Sequence, residues 1–258
     1  MANNKESEGE FLPVRVSIFD QLIGGGLERG SCTLISGGCG VGKTIFAIQS
    51  AYTGALNGEK AVYLSLTEDP PKLKRHMKRN FNWDIDAMEK KGLIHMQRVD
   101  PFELARDIEN MLTDPKAREK LSITSDVTGK ISLIDTKRIG IPFKPDRIIV
   151  DSLSSLEVAF TTEEHYRVCI QLLVEALNQH NSVNFLISET EQEPTVYSRI
   201  GIEEFLVDGV IVLYNIRKGQ LRRRAIEILK LRSSDHLKEM IPYMITENGI
   251  KILRGEKI

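Results

Sequence analysis

The segment SCTLISGGCGVGKT, residues 31–44, carries the most specific structural pattern of this chain. Residues 31–36 favour a β-strand, and residues 37–44 match the pattern GxxxxGK[ST]. Glycines at these positions let the backbone wrap closely around phosphate oxygens, because no Cβ atom stands in the way. The segment therefore predicts a strand, then a phosphate-binding loop, then a helix that begins at the loop.

The loop offers three kinds of group to a nucleoside triphosphate. Its backbone N–H groups and the positive end of the following helix attract the phosphates. Lys43 neutralises charge on the β- and γ-phosphates, and the Thr44 hydroxyl suits Mg²⁺. A merely glycine-rich turn would not explain Lys43 and Thr44 at the start of a helix. We expect ATP to contact Gly38, Cys39, Gly40, Val41, Gly42, Lys43 and Thr44.

A second magnesium ligand is predicted at the end of a β-branched run. Residues 147–150 read RIIV and are followed by Asp151. Ligands of open α/β sheets bind at the carboxyl ends of the strands, and a carboxylate there suits Mg²⁺. We therefore expect Thr44 and Asp151 to hold the metal, although Asp151 is also suited to cap the segment that follows it.

Two further strand ends carry polar candidates. Glu68 follows the predicted strand 61–66 and is our candidate for the group that orients the attacking water, with Asp69 as its runner-up. The alternative for Glu68 is a capping or surface acid. Ser188 and Glu189 end the predicted strand 184–188 and are suited to sense the γ-phosphate, or are ordinary polar loop residues.

Strand and helix patterns alternate along the chain. Predicted helices cover residues 44–56, 70–81, 102–112 and 162–180, and predicted strands 31–36, 61–66, 93–97, 147–150 and 184–188. Four later strands, 209–216, 224–231, 243–246 and 250–253, are joined by short turns. The pattern predicts an α/β fold with a mostly parallel central sheet, helices on both faces and antiparallel strands at the C-terminal edge. We expect a disordered arm at 1–10 and one domain at 11–258, with a hairpin insertion near 122–140.

Composition excludes several classes of protein. The 258 residues are 41% hydrophobic and 28% charged with a formal net charge of -1, which fits neither a disordered chain nor a protein drawn to nucleic acid by its overall charge. No apolar run approaches the length of a membrane span, and the N-terminus lacks a secretory pattern. Three cysteines without a CxxC pair favour a reducing, cytoplasmic location.

Several stretches together resemble the KaiC-like ATPases of the RecA superfamily. They are FDQLIGGGLERGSCTLISGGCGVGKT at 19–44, RIIVDSLSSL at 147–156, SRIGIEEFLVDGVIVL at 198–213 and RRRAIEILKLRSSDH at 222–236. The resemblance covers about residues 14–253 apart from the insertion. It implies a RecA-like P-loop NTPase core.

The resemblance also implies an assembly and a set of site residues. KaiC-like ATPases form ATP-dependent rings, typically hexamers, with active sites between subunits. A Lys-x-Arg pair on a late strand reaches the ATP of the neighbouring subunit, and a histidine follows it. The matching positions are Lys230, Leu231, Arg232 and His236. A cation supplied by a neighbour stabilises charge in the transition state, so hydrolysis would depend on assembly.

Two departures from the family pattern affect the expected chemistry. The family usually has two adjacent glutamates after the second strand, whereas this chain has Thr67, Glu68 and Asp69. We therefore expect slow turnover. The second departure concerns autophosphorylation, which a clock member of the family carries out on a Ser/Thr pair. Thr195 and Ser198 lie near the corresponding region of this chain but fit ordinary loop residues better.

Two basic clusters keep rival functions open. Seven Lys and Arg residues lie between 217 and 232, and five between 72 and 79. They suit a DNA-repair ATPase that binds single-stranded DNA, but neither cluster carries interleaved aromatics for base stacking. A subunit interface explains the cluster at 217–232 as well, and a solvated helix face explains the cluster at 72–79.

A second rival function is an ATP-dependent assembly switch that does not hydrolyse ATP. We expect further copies of the chain and an unidentified protein as partners; nucleic acid is less favoured, and no membrane is expected.

Overall fold

A computed structural model of the chain describes residues 10–113, 140–192, 196–232, 235–256 and 258. The strands are β1 (Phe11–Leu12), β2 (Leu27–Glu28), β3 (Ser31–Gly37), β4 (Ala61–Ser65), β5 (Ile94–Arg98), β6 (Arg147–Asp151), β7 (Val183–Glu189), β8 (Gly209–Lys218), β9 (Leu221–Leu231), β10 (Ile241–Thr246) and β11 (Gly249–Ile252). The helices are α1 (Phe19–Leu22), α2 (Lys43–Leu56), α3 (Pro70–Phe81), α4 (Ile85–Lys90), α5 (Pro101–Thr113), α6 (Leu153–Glu157), α7 (Glu163–Asn178) and α8 (Glu203–Leu206).

Within these residues one nine-stranded sheet carries the fold, in the order β11-β10-β9-β8-β3-β7-β6-β4-β5. The six strands from β8 to β5 run parallel to one another. β9, β10 and β11 extend the sheet antiparallel on the β8 side. The predicted fold class is therefore confirmed: a mostly parallel sheet with antiparallel strands from the C-terminal part of the chain.

The sheet is buried on both faces, which is why its strands are nearly continuous apolar runs. On one face α2, α3 and α4 pack over Ile35, Ile149 and Phe185. On the opposite face α5, α6 and α7 pack over Leu34 and Leu186, among others. Successive residues of a strand point to opposite faces, so each strand contributes alternate side chains to the two cores. We call the first face the α2 face and the second the α7 face.

The parallel register brings four strand ends to one edge of the sheet. Gly37 of β3 pairs with Glu189 of β7, and Ser65 of β4 pairs with Asp151 of β6. We call this edge, formed by the carboxyl ends of β3, β4, β6 and β7, the loop edge. The loop before α2 and the polar candidates after β4, β6 and β7 all lie along it.

Both ends of strand β6 are joined to helix α2, one to its first turn and one to its middle. Arg147, the first residue of β6, is fully buried and donates hydrogen bonds to the Ser50 hydroxyl at 2.5 Å and to the Glu59 carboxylate. Asp151, the last residue of β6, accepts a hydrogen bond from Thr44 in the first turn of α2. Gly54 of α2 leaves room for the arginine, because a Cβ there would lie 2.8 Å from its Nη2.

The structure adds elements that the sequence pattern did not predict. Helices α1, α4, α6 and α8 have at most six residues, too few to show helical periodicity. Residues 1–9 and 114–139, which include most of the predicted arm and nearly all of the predicted hairpin insertion, lie outside the described residues. Among the residues described, every helix is too short or insufficiently apolar to span a lipid bilayer.

Candidate nucleotide-binding site

The glycines of the loop are required by backbone geometry. Gly37 has φ +151°, and a Cβ at this position would lie 2.3 Å from the carbonyl oxygen of Leu213 on β8. Gly42, which precedes α2, has φ +103°, and its Cβ would lie 2.9 Å from Ile245 Cδ1. A larger residue would have to displace backbone at the first position and a core side chain at the second. The loop is therefore held tightly between β8 and β10.

Lys43 lies with its ammonium group folded back over the loop. Its Nζ donates hydrogen bonds to the carbonyl oxygens of Gly37 at 2.8 Å and Gly38 at 2.9 Å, and the side chain is buried. Burial lowers the pKa of Lys43, while the negative charges of Glu189 and Asp151 act in the opposite direction. A buried cation at the start of a helix is well suited to an anionic ligand.

Thr44 and Asp151 meet as the metal prediction requires. The Thr44 hydroxyl donates to Asp151 Oδ2 at 2.7 Å, and the Tyr63 hydroxyl donates to the same oxygen at 2.5 Å. Burial raises the pKa of Asp151, and the hydrogen bonds from Tyr63 and Thr44 oppose that shift. A hydroxyl and a carboxylate are hard oxygen donors, which Mg²⁺ prefers, so these residues fit the ion. Phosphate oxygens and water would complete its shell, since no cluster of three or more metal-ligating side chains occurs among the residues described.

The structure places Glu68 and Asp69 just beyond β4, on the loop edge. The Glu68 carboxylate is partly exposed and lies 3.8 Å from Lys72 Nζ, and its backbone carbonyl accepts a hydrogen bond from Ser65. Asp69 is exposed and precedes α3 without making a side-chain cap. Each carboxylate is therefore open to solvent beside the loop, and which of them acts on water stays a prediction.

Ser188 and Glu189 were predicted as a pair, but the sheet separates them. The Ser188 side chain is fully buried on the α7 face, where its hydroxyl lies 3.3 Å from the carboxylate of Glu203 on α8. Glu189 is exposed on the α2 face, close enough to influence the charge of Lys43. The structure thus places Glu189 beside Lys43 and Ser188 on the opposite face of the sheet, because neighbouring strand residues point in opposite directions. A role for either residue at the nucleotide stays a prediction.

Two residues that hold the loop in place escaped the sequence analysis. The Tyr243 hydroxyl of β10 donates to the carbonyl oxygen of Val41. Gln192 Nε2 donates to the carbonyl oxygen of Cys39 at 3.0 Å, and the side chain lies directly over Gly38. A tyrosine in an apolar strand and a glutamine in a loop give no periodic or motif signal, so only the folded arrangement reveals them.

Lys230 and Arg232 lie towards the other end of the sheet. The Arg232 backbone N–H donates to the carbonyl of Asp208, whose own N–H donates to the carbonyl of Cys32, so Arg232 is level with Cys32. Cys32 precedes Gly37 by five residues of β3, which at about 3.3 Å per residue separates them by about 17 Å along the strand. We call this edge, carrying Lys230 and Arg232, the cation edge. Within one chain these cations do not reach the loop.

The side chains of the cation edge are engaged with their own chain. Lys230 Nζ donates to the carbonyl oxygens of Glu204 at 3.1 Å and Val207 at 2.6 Å, both at α8. Burial lowers the pKa of Lys230, and the positive charge of Arg232 adds to this shift. Arg232 is exposed and forms an ion pair with Asp208 at 3.4 Å. Leu231 packs on the α2 face, and His236 is half-buried.

The two basic clusters lie in different surroundings. Along α3, Lys72, Lys74 and Lys78 form ion pairs with acids of the same chain. This is consistent with the expected solvated helix face, on which Arg75 and Arg79 are also exposed. The second cluster includes Arg222, Arg223 and Arg224, which line a cavity of about 350 Å³ between β9 and β10.

Comparison with known families identifies the chain's relatives. The family model described as "ATPase: KaiC" matches residues 12–257. The chain belongs to the KaiC family of ATPases. The RecA-like core predicted from the sequence and the parallel sheet of the structure agree with this assignment.

Curated KaiC proteins match over nearly the whole chain. The circadian clock oscillator protein KaiC of Synechococcus elongatus is 31% identical over 254 residues, which cover 97% of this chain and 46% of that protein. The circadian clock protein KaiC3 of Synechocystis is 33% identical over 252 residues, which cover 97% of this chain and 47% of that protein. The chain thus spans about half the length of the curated KaiC proteins it matches.

A solved structure supports the fold independently. The crystal structure of a KaiC-like protein from the hyperthermophilic archaeon Pyrococcus horikoshii OT3 superposes with a TM-score of 0.73 at 29% sequence identity. The match covers 94% of this chain and 98% of that one. The KaiC-like arrangement of sheet and helices therefore extends over almost all of both chains.

Proposed function

We propose that this chain is a Mg²⁺-dependent ATPase that hydrolyses ATP slowly, assembles into a ring of identical subunits and serves a regulatory role. The observation that carries the proposal is the separation of the loop edge from the cation edge. Phosphate-binding groups lie at the first edge and the family's Lys-x-Arg pair at the second, about 17 Å away along β3. One domain, residues 11–258, would carry both edges.

Each group at the loop edge has a defined task in this proposal. Backbone N–H groups of residues 38–44 bind the phosphates, and Lys43 neutralises their charge. Thr44 and Asp151 would hold a magnesium ion, which would stabilise negative charge on the phosphate oxygens. Glu68 orients the attacking water, with Asp69 as the alternative.

The cation edge acts on a neighbouring copy. Lys230 and Arg232 would approach the ATP bound by the adjacent subunit and stabilise charge that appears only in the transition state. Leu231 and His236 would line the same contact. Because one chain cannot supply both edges to one nucleotide, hydrolysis requires assembly, and a hexamer is the expected ring.

A non-hydrolysing assembly switch is the second candidate. It is favoured by Thr67, which stands where the family usually has the first of two glutamates, and by the partly exposed position of Glu68. An autokinase has no such support. Thr195 lies outside the described residues, and Ser198 is buried with its hydroxyl bonded to Glu204.

Light scattering on the full chain tests the proposal. We expect a single subunit without nucleotide and the mass of a hexamer with ATP and Mg²⁺, followed by ADP above background in the same sample. Lys43→Ala should weaken ATP binding about 100-fold, because it removes a buried charge from the phosphate site. The control Lys78→Ala, on the exposed face of α3, should bind ATP as the wild type does.

The outcomes separate the candidates. Assembly without ADP production would favour the switch over the ATPase. A chain that binds no ATP, or a Lys43→Ala variant with wild-type affinity, would contradict both. A salt-dependent gel shift with single-stranded DNA would revive the DNA-repair alternative.

A further inference from the structure

Tyr63 is a buried side chain in the middle of β4 whose hydroxyl has no role in the proposal above. It lies on β4, next to β6, and only 1% of its surface is exposed. Its ring belongs to the apolar core of the α2 face. A phenylalanine would fill the same space, so packing alone does not explain the hydroxyl.

The Tyr63 hydroxyl has a specific target. It donates to Oδ2 of Asp151 at 2.5 Å, and the Thr44 hydroxyl donates to the same oxygen at 2.7 Å. Both hydrogen bonds that Asp151 accepts from described side chains therefore go to one oxygen of its carboxylate. A buried polar group is costly unless it is paired, so the two hydroxyls also satisfy this oxygen of the carboxylate.

Two donors on one oxygen restrict how the carboxylate can turn. Rotation about the Asp151 χ2 torsion, which is otherwise broad, would break a short hydrogen bond to a tyrosine fixed in the core. Thr44 is expected to contact the metal directly, whereas Tyr63 reaches only the carboxylate. Tyr63 is thus the one of the two donors that acts solely on the orientation of Asp151.

We propose that Tyr63 is a positioning residue for the magnesium site and sets the metal affinity by fixing the Asp151 carboxylate before Mg²⁺ binds. This inference rests on the proposed Mg²⁺-dependent nucleotide site. Residues that orient a ligating carboxylate by hydrogen bonding typically change metal affinity by about 10- to 100-fold when removed. The phosphate grip of the loop backbone and Lys43 does not involve Tyr63.

Calorimetric titration of Mg²⁺ into the ADP complex tests the proposal. Tyr63→Phe keeps the ring and is expected to weaken Mg²⁺ binding about 10-fold. The affinity for ADP in the presence of EDTA should stay within about two-fold of wild type, because the groups that bind the phosphates do not involve Tyr63. A two-fold change corresponds to less than about 0.5 kcal/mol. The matched control is Tyr52→Phe, which removes the hydroxyl that accepts a hydrogen bond from the Asp84 backbone, away from the loop.

A double-mutant cycle separates positioning from general destabilisation. In an Asp151→Ala background, Tyr63→Phe should cause no further loss of Mg²⁺ affinity, because the carboxylate it orients is absent. A further 10-fold loss there would overturn the proposal, as would equal Mg²⁺ affinity of Tyr63→Phe and Tyr52→Phe. If the wild-type chain binds ADP but Mg²⁺ does not tighten that binding, the metal site itself is wrong; if it binds no ADP, the proposed function fails as well.

Discussion

The loop edge and the cation edge differ in how their polar groups are held. At the loop edge, glycine geometry and buried hydroxyls fix the loop and the carboxylate of Asp151 from several sides. At the cation edge, Lys230 is bound to two carbonyl oxygens at α8 and Arg232 makes one exposed ion pair. The polar groups of the loop edge are thus held in one arrangement by their surroundings. The two cations of the cation edge are long side chains whose present partners could be exchanged for others.

This difference is consistent with nucleotide binding at the loop edge and a contribution to turnover from the cation edge. Binding a nucleotide requires donors already in place, because ordering them at the moment of binding costs free energy. A cation that acts on a neighbour must instead be able to leave its local partners and extend. Substitutions at the two edges should therefore affect different quantities, with binding sensitive to the loop edge and turnover to the cation edge.

The largest expected effect lies at the cation edge. Arg232→Ala should lower ATP hydrolysis about 1,000-fold while leaving ATP affinity unchanged, because a cation supplied by a neighbouring subunit acts on the transition state. Phosphate release at saturating ATP measures the first quantity, and titration of a fluorescent ATP analogue measures the second.

Arg167→Ala, which changes an exposed arginine of α7 outside both basic clusters, is the control for Arg232→Ala. It should keep the wild-type rate. If Arg232→Ala hydrolyses ATP as fast as the wild type, the cation edge has no part in turnover and the contrast between the edges disappears.

The next effect distinguishes the two acids after β4. Glu68→Gln should lower the rate of hydrolysis about 100-fold, because it removes the group that orients or deprotonates water. Asp69→Asn should have a much smaller effect on the same phosphate-release assay. The reverse result would transfer the role to Asp69 and shift the alignment with the family's paired glutamates by one residue.

A smaller effect concerns how firmly Lys230 is held within its own chain. Lys230→Met should lower the free energy of unfolding by about 1–2 kcal/mol, because it removes two partly buried hydrogen bonds to carbonyl oxygens. Urea denaturation without nucleotide measures it, with the exposed Lys238→Met as control. An unchanged unfolding midpoint would mean that the lysine is free to extend without any local cost.

The smallest expected effect is at Ser188. Because its hydroxyl lies on the α7 face, Ser188→Ala should leave ATP affinity within about two-fold of wild type and lower the free energy of unfolding by about 1 kcal/mol. The same titration and urea measurements apply. A ten-fold loss of ATP affinity would instead return Ser188 to the nucleotide site.

Local chemistry made much of the loop edge predictable. The glycine pattern with Lys43 and Thr44 has a direct physical meaning, and Asp151 follows from the rule that parallel strands end at a common edge. The long helices and the parallel strands were predicted for similar reasons, since each is a long or strongly apolar segment. The structure confirmed the fold class and brought Thr44 and Asp151 into contact.

Features that depend on the packing of distant segments could not be predicted from the sequence. The two faces of a fully buried parallel strand are equally apolar, so the sequence does not say which face Ser188 points to. The contact of Tyr63 with Asp151 crosses between strands that are far apart in sequence. The carbonyl partners of Lys230 lie at a four-residue helix, which is too short for any periodicity to reveal.

The double attachment of α2 to β6 has a geometric consequence for the whole nucleotide site. From Thr44 to Ser50 the helix rises about 9 Å at about 1.5 Å per residue, and β6 spans about 13 Å from Arg147 to Asp151. The long side chain of Arg147 covers the difference, so one strand holds one helix at two points. An inserted residue in α2 would rotate its far side chains by about 100° as well as lengthen it, so one attachment would be lost. The spacing of the two attachments thus sets the position of the phosphate-binding loop along the direction of β6.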